Sequence, residues 1–263
     1  MQPRPTGRGG LRISRAVHRR FDGRSAASLD PDLRRFAADQ ARPYGLALRE
    51  DLLSEGVGHT YAEMGEALLD DLALTGDRLT EDRPADLLLL AFDVPDVQPG
   101  LANTLRLSRA CPGQPLAFAI GDQGPLSPFT ALRIADRYAR TGACERALVL
   151  LLEQPALHYR PPGPVELPEH AEGVLLLCEQ TDDTRTLTVD QSESAPRPAP
   201  APGPEAWRSS WPYPEPPPPA DATTGQPLTG AWTAVLAGWH GEGPLLVRGT
   251  DRRTGRTAEL HQP

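Results

Sequence analysis

The segment that decides the fold spans residues 129–153 and reads FTALRIADRYARTGACERALVLLLE. Its first part repeats apolar residues at helical spacing between Phe129 and Tyr138, and Gly142 then ends the helix, since glycine readily takes the left-handed conformation found at helix C-termini. Its second part, residues 146–153, is a nearly continuous apolar run, which is typical of a strand buried on both faces of a sheet. The segment predicts a helix followed directly by a central strand.

Further helices and strands precede this segment in alternation. Thr60 and Glu63 form the capping-box pattern T-x-x-E, which predicts that a helix begins there. The apolar runs 85–92 and 116–120 predict two more buried strands, with a short helix over 101–110 between them. Helices that alternate with strands in this way indicate an α/β fold with a mostly parallel sheet and right-handed crossover helices.

The chain divides into four predicted regions. A Pro-rich linker is expected near the end because 12 of the 30 prolines lie within residues 196–227, and proline interrupts both helices and sheet ladders. The regions are an N-terminal lead with a possible first strand at 1–28, an α/β unit at 29–192, the linker at 193–228, and a strand–turn–strand segment at 229–263.

Shorter elements are predicted on either side of the linker. Residues 174–179 and 187–189 predict a hairpin whose turn contains polar residues. After the linker, residues 231–237 and 245–248 predict two strands joined by the Gly-rich turn 238–243.

Composition argues against several classes of function. A net charge of −8 gives no general attraction to nucleic acid or anionic membranes. No run approaches the ~20 apolar residues of a membrane-spanning helix, and no secretory signal is evident, so a cytoplasmic protein is expected. The three cysteines have neither disulfide nor zinc-site spacing, so no metal or resident cofactor is expected. All 27 basic residues are arginine, a bias typical of GC-rich bacteria such as actinobacteria.

The central part of the chain resembles the N-terminal half of thiolase-fold ketoacyl synthases, especially the type-three class that starts fatty-acid and polyketide chains. The resemblance rests on ADLLLLAFDVPD at 85–96, LSRACPGQPLAFAI at 107–120 and the segment 129–153, in the family's order. It implies a thiolase-like α/β fold in which residues 29–192 are the N-terminal half. Residues 229–263 would then be the remnant of a truncated second half.

The family's reactive cysteine lies on the turn between the strand and the helix, where the helix N-terminus stabilises its thiolate. Here that turn reads Gly121-Asp122-Gln123-Gly124. Gln123 takes the cysteine position if the preceding turn is one residue shorter, whereas counting from the two flanking elements gives Gly124 or Pro125. No alignment brings a cysteine there, because Cys111 precedes the strand. The resemblance therefore implies a degenerate, chain-length-factor-like member.

Three residues are candidates for a remaining site, namely Gln123, Asp122 and His240. The resemblance implies two alternatives for what such a site does. The first is a non-condensing protein that binds or assists an acyl carrier protein, or a ketosynthase-like partner or second copy of itself, in polyketide or fatty-acyl secondary metabolism. The second is a decarboxylase or acyltransferase that acts on a phosphopantetheine-linked acyl-thioester with Gln123. The family's dimer seam corresponds to residues 116–120, and the first alternative is favoured.

Overall fold

A computed structural model describes residues 9–25, 29–98, 102–162, 165–182, 185–192, 225–239, 241–252 and 254–263. Most of the predicted linker and the first eight residues lie outside these ranges. The helices are α1 Pro31–Ala41, α2 Glu50–Glu55, α3 Tyr61–Leu74, α4 Asn103–Ala110, α5 Ser127–Arg140 and α6 Gly230–Leu236. The strands are β1 Leu11–Phe21, β2 Leu87–Ala91, β3 Leu116–Ile120, β4 Arg146–Glu153, β5 Ala171–Gln180, β6 Thr188–Ser192, β7 Leu245–Asp251 and β8 Arg256–Gln262.

The larger sheet has five strands in the order β1-β5-β4-β2-β3. β2 pairs in parallel with both β3 and β4, whereas β5 runs antiparallel to its two neighbours, β4 and β1. Four strands therefore point in one direction and only β5 is reversed. The predicted α/β fold with a mostly parallel sheet is confirmed.

Both faces of this sheet are buried at its central strands β2, β4 and β5, which explains the continuous apolar runs in those strands. Alternate residues of β4 project to opposite sides, because side chains alternate along a strand. Ala147, Val149 and Leu151 pack on the side of α5 and α6. Leu148 and Leu150 pack on the other side, against α3 and α4. The predicted start of α3 is confirmed as well, since Thr60 and Glu63 form both hydrogen bonds of the capping box.

A second sheet of three antiparallel strands, in the order β6-β8-β7, covers α5 and α6. Phe129 of α5 and Trp232 of α6 pack together between the two sheets, with ring centroids 5.4 Å apart. Apolar residues of β7 and β8, among them Val247 and Leu260, complete this core. Helices α5 and α6 thus form a layer between two sheets.

Two of the shorter predicted elements are wrong. The hairpin does not form, because β5 is apolar on both faces and lies inside the large sheet, while β6, with alternating exposure, pairs with β8. Residues 231–237 are not a strand: residues 231–236 belong to α6, whose Trp232 and Val235 are buried one helical turn apart, and Ala237 caps the helix. The segment after residue 229 is a helix followed by a β-hairpin.

The prediction that residues 116–120 form a fully buried strand is also wrong. β3 lies at the edge of the large sheet, where Leu116 is 54% exposed and Ala119 is exposed too. Its run of apolar residues resembles that of a central strand because none of its side chains carries charge. Among the described residues, no helix combines the length and apolar character needed to cross a bilayer.

Candidate functional site

The turn between β3 and α5 carries two of the three predicted site residues. A 3-10 turn at Gly124–Leu126 runs directly into α5, so that the helical segment begins immediately after Gln123. Ser127 is the first residue of α5. The hydroxyl oxygen of Ser127 lies within hydrogen-bond distance of two carbonyl oxygens, that of Gly124 at 3.0 Å and that of Phe92 at 3.3 Å, so it lies between the turn and the end of β2. Gln123 therefore lies at a firmly held helix entrance.

Asp122 takes an unusual backbone conformation at this turn. Its φ is 60°, and among the described residues only one other non-glycine residue, Gln114, has a positive φ. This left-handed conformation is disfavoured for side chains with a Cβ, although short polar residues such as aspartate tolerate it best. Sharp strand-to-helix turns that present a nucleophile have a similarly strained residue at their tip. Here the strained position holds an exposed carboxylate, one residue before Gln123.

The side chain of Gln123 belongs to a hydrogen-bonded chain of three residues. Its Oε1 accepts a hydrogen bond from the hydroxyl of Thr130, with an oxygen–oxygen distance of 2.5 Å. The same hydroxyl oxygen accepts from Nε2 of Gln191 at 3.0 Å. Thr130 lies on α5 and Gln191 on β6, so these two hydrogen bonds connect the turn to the second sheet.

A cleft of about 390 Å³ opens between this turn, α5 and the second sheet. Its polar lining comes from both sides of the cleft and includes both carboxylate and guanidinium groups. Asp251 is fixed in the wall by the hydroxyl of Thr254 at 2.6 Å. Arg133 is exposed and has no ion pair with any residue that the structure describes. The lining residues that matter most here are Asp122, Gln123, Thr130, Arg133, Gln191 and Asp251.

No cysteine approaches this cleft. The three thiols of the chain are buried and reduced, and they lie near the end of the sheet where β3 and β4 begin. Cys111 and Cys144 precede those strands, and Cys178 is the cross-strand partner of Ala147 in β4. The turn is at the opposite end, about 16 Å away along a five-residue strand. Burial raises the pKa of Cys111 to about 11 and that of Cys144 to about 12.

The third predicted site residue, His240, lies outside the described residues. Its chain neighbour Gly241 lies close to the backbone of Ser14, since a Cβ on Gly241 would be 2.7 Å from the Ser14 carbonyl oxygen. Ser14 belongs to β1, at the sheet edge opposite β3. A role for His240 beside Gln123 stays a prediction. In the described part of the chain, no group of three or more His, Cys, Asp or Glu residues is arranged to hold a metal ion.

A buried pair of carboxyl groups was not predicted from the sequence. Glu153 and Glu172, which are 1% and 6% exposed, are direct cross-strand partners at the end of β4. The hydroxyl of Thr229 contacts both carboxyl groups, at 2.7 Å in the case of Glu172. Glu172 also binds His18 at 2.9 Å and Gln226 at 3.1 Å. The only sequence signal was a glutamate at the end of one apolar run and another near the start of the next.

The two carboxyl groups differ in their acidity. Burial raises the pKa of Glu153 to about 7, and the hydrogen bonds from Thr229 and Leu228 only partly oppose this effect. Burial acts in the same direction on Glu172, but hydrogen bonds from His18, Thr229 and Gln226 outweigh it and lower its pKa to about 2. Glu153 is therefore the member of the pair that binds a proton as the pH falls through about 7, while Glu172 stays ionised there.

No protein-family model and no curated protein matches the sequence. Among solved structures, 179 chains match. ChlB3, described as an acyltransferase, is 19% identical with a TM-score of 0.45, over 71% of this chain and 55% of that one. A 3-oxoacyl-(acyl-carrier protein) synthase from Burkholderia xenovorans is 14% identical with a TM-score of 0.42, over 72% and 54%. The chain thus spans about half the length of these two proteins.

A more extensive superposition is found with the cerulenin-bound OleA of Xanthomonas campestris. The two chains are 10% identical with a TM-score of 0.55, and the superposition covers 99% of each. Acetamide-bound OleA gives the same TM-score at 9% identity, over 97% of this chain and 99% of that one. These are thiolase-fold proteins, and the chain has the same thiolase-like α/β fold.

Proposed function

We propose that this thiolase-fold chain is a non-condensing, chain-length-factor-like protein. It pairs with a ketosynthase-like chain or with a second copy of itself, and assists an acyl carrier protein in cytoplasmic polyketide or fatty-acyl secondary metabolism. The observation that carries the proposal is the turn after β3, where Asp122 and Gln123 stand in place of a thiol. Since all three cysteines are buried near the other end of the sheet, the chain has no group there to accept an acyl chain by thioester exchange.

The two edges of the large sheet differ in a way that supports pairing through β3. Edge strands are commonly protected from association by charged side chains. β1 carries four arginines, at positions 12, 15, 19 and 20, whereas β3 reads LAFAI and carries no charge. Of these two edges, β3 is therefore the one suited to accept a strand from another chain.

The backbone of β3 also has hydrogen-bonding groups available for a partner. The N–H of Leu116 donates to the backbone carbonyl oxygen of Asp86, and the carbonyl oxygen of Ile120 accepts from the backbone N–H of Phe92. Leu116 and Ile120 therefore point their backbone groups toward β2. Because alternate residues of a parallel strand bond to opposite sides, the backbone groups of Ala117 and Ala119 face the open edge. Their small side chains leave room for a neighbouring strand.

Replacing Leu116 with Glu tests this interface. The charge would lie at the open edge and should prevent pairing, so that the mass measured by light scattering falls from that of a complex to that of one chain. Leu74→Glu is the matched control, because Leu74 is 86% exposed at the C-terminus of α3, outside β3. The supporting result is a dimer, or a complex with a co-purified thiolase-fold chain identified by mass, that Leu116→Glu abolishes and Leu74→Glu preserves. A wild-type chain that stays monomeric when purified from its native host would refute the proposal.

A second candidate function is decarboxylation or transfer of a carrier-linked acyl group at Gln123. The observation that favours it is that Oε1 of Gln123 is already bound by Thr130, so the amide nitrogen remains for a ligand in the cleft. Incubation with malonyl-loaded carrier protein, followed by intact-mass analysis, tests this function. Loss of carbon dioxide with the wild-type chain and not with Gln123→Ala would support it, and an unchanged malonyl group would exclude it.

A further inference from the structure

We infer that Thr130 and Gln191 are positioning residues that fix the amide of Gln123 as a hydrogen-bond donor to the carbonyl oxygen of an acyl-thioester in the cleft. The inference rests on the proposed binding of a carrier-linked acyl group at Gln123. It adds the direction in which the amide acts and the two residues that set that direction.

The direction follows from the two distances, because 2.5 Å lies in the range of an O–H···O hydrogen bond and is short for N–H···O, whereas 3.0 Å is ordinary for N–H···O. The Thr130 hydroxyl has one hydrogen, and its oxygen already accepts from the amide nitrogen of Gln191 at 3.0 Å. That one hydrogen is donated to Oε1 of Gln123 at 2.5 Å. With Oε1 occupied, the Gln123 amide cannot turn its oxygen into the cleft without breaking its hydrogen bond to Thr130. Its Nε2 group, which carries two N–H donors, has no acceptor within the described part of the chain.

Thr130 and Gln191 both lie at inward-facing positions of regular secondary structure. Thr130 is only 8% exposed and lies on α5, the helix between the two sheets. On β6, the partly buried positions are Val189 and Gln191, while Thr188, Asp190 and Ser192 are exposed. Gln191 therefore occupies an inward-facing position, where a polar side chain needs a hydrogen-bond partner. Thr130 is that partner.

A fixed donor at this point suits a thioester carbonyl, whose oxygen is a hydrogen-bond acceptor only. In a decarboxylation, the bond between the α-carbon and the carboxylate breaks, carbon dioxide leaves, and the electron pair moves into a thioester enolate. The enolate oxygen carries the developing negative charge and accepts the N–H of Gln123, and the α-carbon then takes a proton from water. A donor that is oriented in advance contributes most at the stage where this charge develops.

The experiment compares Thr130→Val, which removes the hydroxyl at similar volume, with Thr130→Ser, which retains it. Malonyl-CoA and free CoA are the two probes, and calorimetry gives the Kd of each. We expect Thr130→Val to raise the Kd for malonyl-CoA about tenfold, the effect of losing roughly one oriented hydrogen bond, and to leave that for CoA unchanged. Thr130→Ser should bind both probes within about twofold of wild type. A general loss of structure would weaken both probes alike.

Two further variants complete the design. Gln191→Leu should reproduce the effect of Thr130→Val, which covers the case in which Thr130→Val does not fold. Thr130→Val added to Gln123→Ala should cause no further loss, because the residue that it positions is already absent. Equal binding of malonyl-CoA by Thr130→Val and Thr130→Ser, with weaker binding by Gln123→Ala, would overturn the positioning role and leave the site at Gln123 intact. Wild-type binding by Gln123→Ala, or no binding by the wild-type chain, would overturn the site itself.

Discussion

Glu153 and Glu172 face each other directly across β4 and β5, and the single hydroxyl of Thr229 contacts both carboxyl groups. One hydroxyl has only one hydrogen to donate, so it can satisfy only one carboxylate at a time. Both carboxyl groups have a hydrogen bond to Thr229 when Glu153 is protonated. The Glu153 carboxyl then donates to the Thr229 hydroxyl oxygen, and the hydroxyl donates its own hydrogen to Glu172. The raised pKa of Glu153 agrees with this assignment.

The carboxyl pair predicts that stability falls as the pH rises above neutrality. The pKa of Glu153 is about 7 in the folded chain, above its ordinary value of 4.5, so the folded state binds the proton more tightly than the unfolded state. Its favourable contribution is complete below about pH 4.5 and is lost as the pH rises through 7, by roughly 3 kcal/mol in all. Glu172 acts oppositely, since its contribution is lost only as the pH falls from about 4.5 toward 2. Urea unfolding between pH 5 and 9 measures the effect.

Glu153→Gln isolates the contribution of this residue to the pH dependence, because it removes the carboxyl group at that position alone. The amide keeps a donor for Thr229 and cannot ionise. We expect Glu153→Gln to lose most of the wild-type decline in the free energy of unfolding between pH 5 and 8.5. An identical pH profile for the two proteins would show that Glu153 does not hold the proton.

The three thiols should be unreactive in the folded chain. They are buried, and burial raises the pKa of each, so that the reactive thiolate is scarce at pH 8. We expect Ellman's reagent to label less than one thiol per chain over minutes in buffer, and all three in guanidinium chloride. Rapid labelling of a full equivalent without denaturant would contradict this burial.

The left-handed conformation of Asp122 should make the turn sensitive to side-chain shape. A β-branched side chain is poorly tolerated at a φ of 60°, and we expect Asp122→Val to destabilise the chain by about 1–2 kcal/mol. Asp122→Asn, which tolerates this conformation equally well, should lie within about 0.5 kcal/mol of wild type. The urea midpoint of each variant decides the matter, and equal midpoints for Val and Asn would mean that the turn is not strained.

The last strand is attached to the first by one buried amide. Gln262 accepts from the N–H of Ile13 at 2.6 Å and donates to its carbonyl at 3.1 Å, beside the point where the register of β1 shifts. Gln262→Leu would leave both backbone groups without a partner, so we expect a loss of about 2–4 kcal/mol in the free energy of unfolding. Glu259→Gln, which alters only a half-exposed ion pair with Arg248 on the same hairpin, is the control and should change stability by less than about 1 kcal/mol.

Sequence patterns correctly predicted the helices and strands whose structure follows from their own local sequence. The capping box at Thr60 and the apolar run of β4 identify a helix start and a central strand without reference to the remaining chain. The local sequence of residues 231–237 did not decide between the two, because its small and apolar residues suit a strand or a helix equally. Packing makes the choice, since α6 places Trp232 against Phe129 of α5.

The site was predicted less completely, for a related reason. The turn could be located because it lies between two well-marked elements, and Gln123 could be singled out there. Its link to Gln191 depends on how β6 pairs with β8, and the Glu153–Glu172 pair depends on the register of β4 against β5. Such relationships arise from the assembled sheets, and no local pattern reports them.

All three cysteines are buried near the far end of the sheet, so a cysteine introduced elsewhere on the surface can be labelled while the native thiols stay unlabelled. A cysteine introduced at position 123 would be the single accessible thiol of the protein, at the start of the helical segment that leads into α5. Any acyl group or probe found on the intact protein could be assigned to that position without removing a native residue elsewhere. The same chain can therefore report, by mass alone, whether its turn still provides the surroundings that turn a thiol into an acyl acceptor.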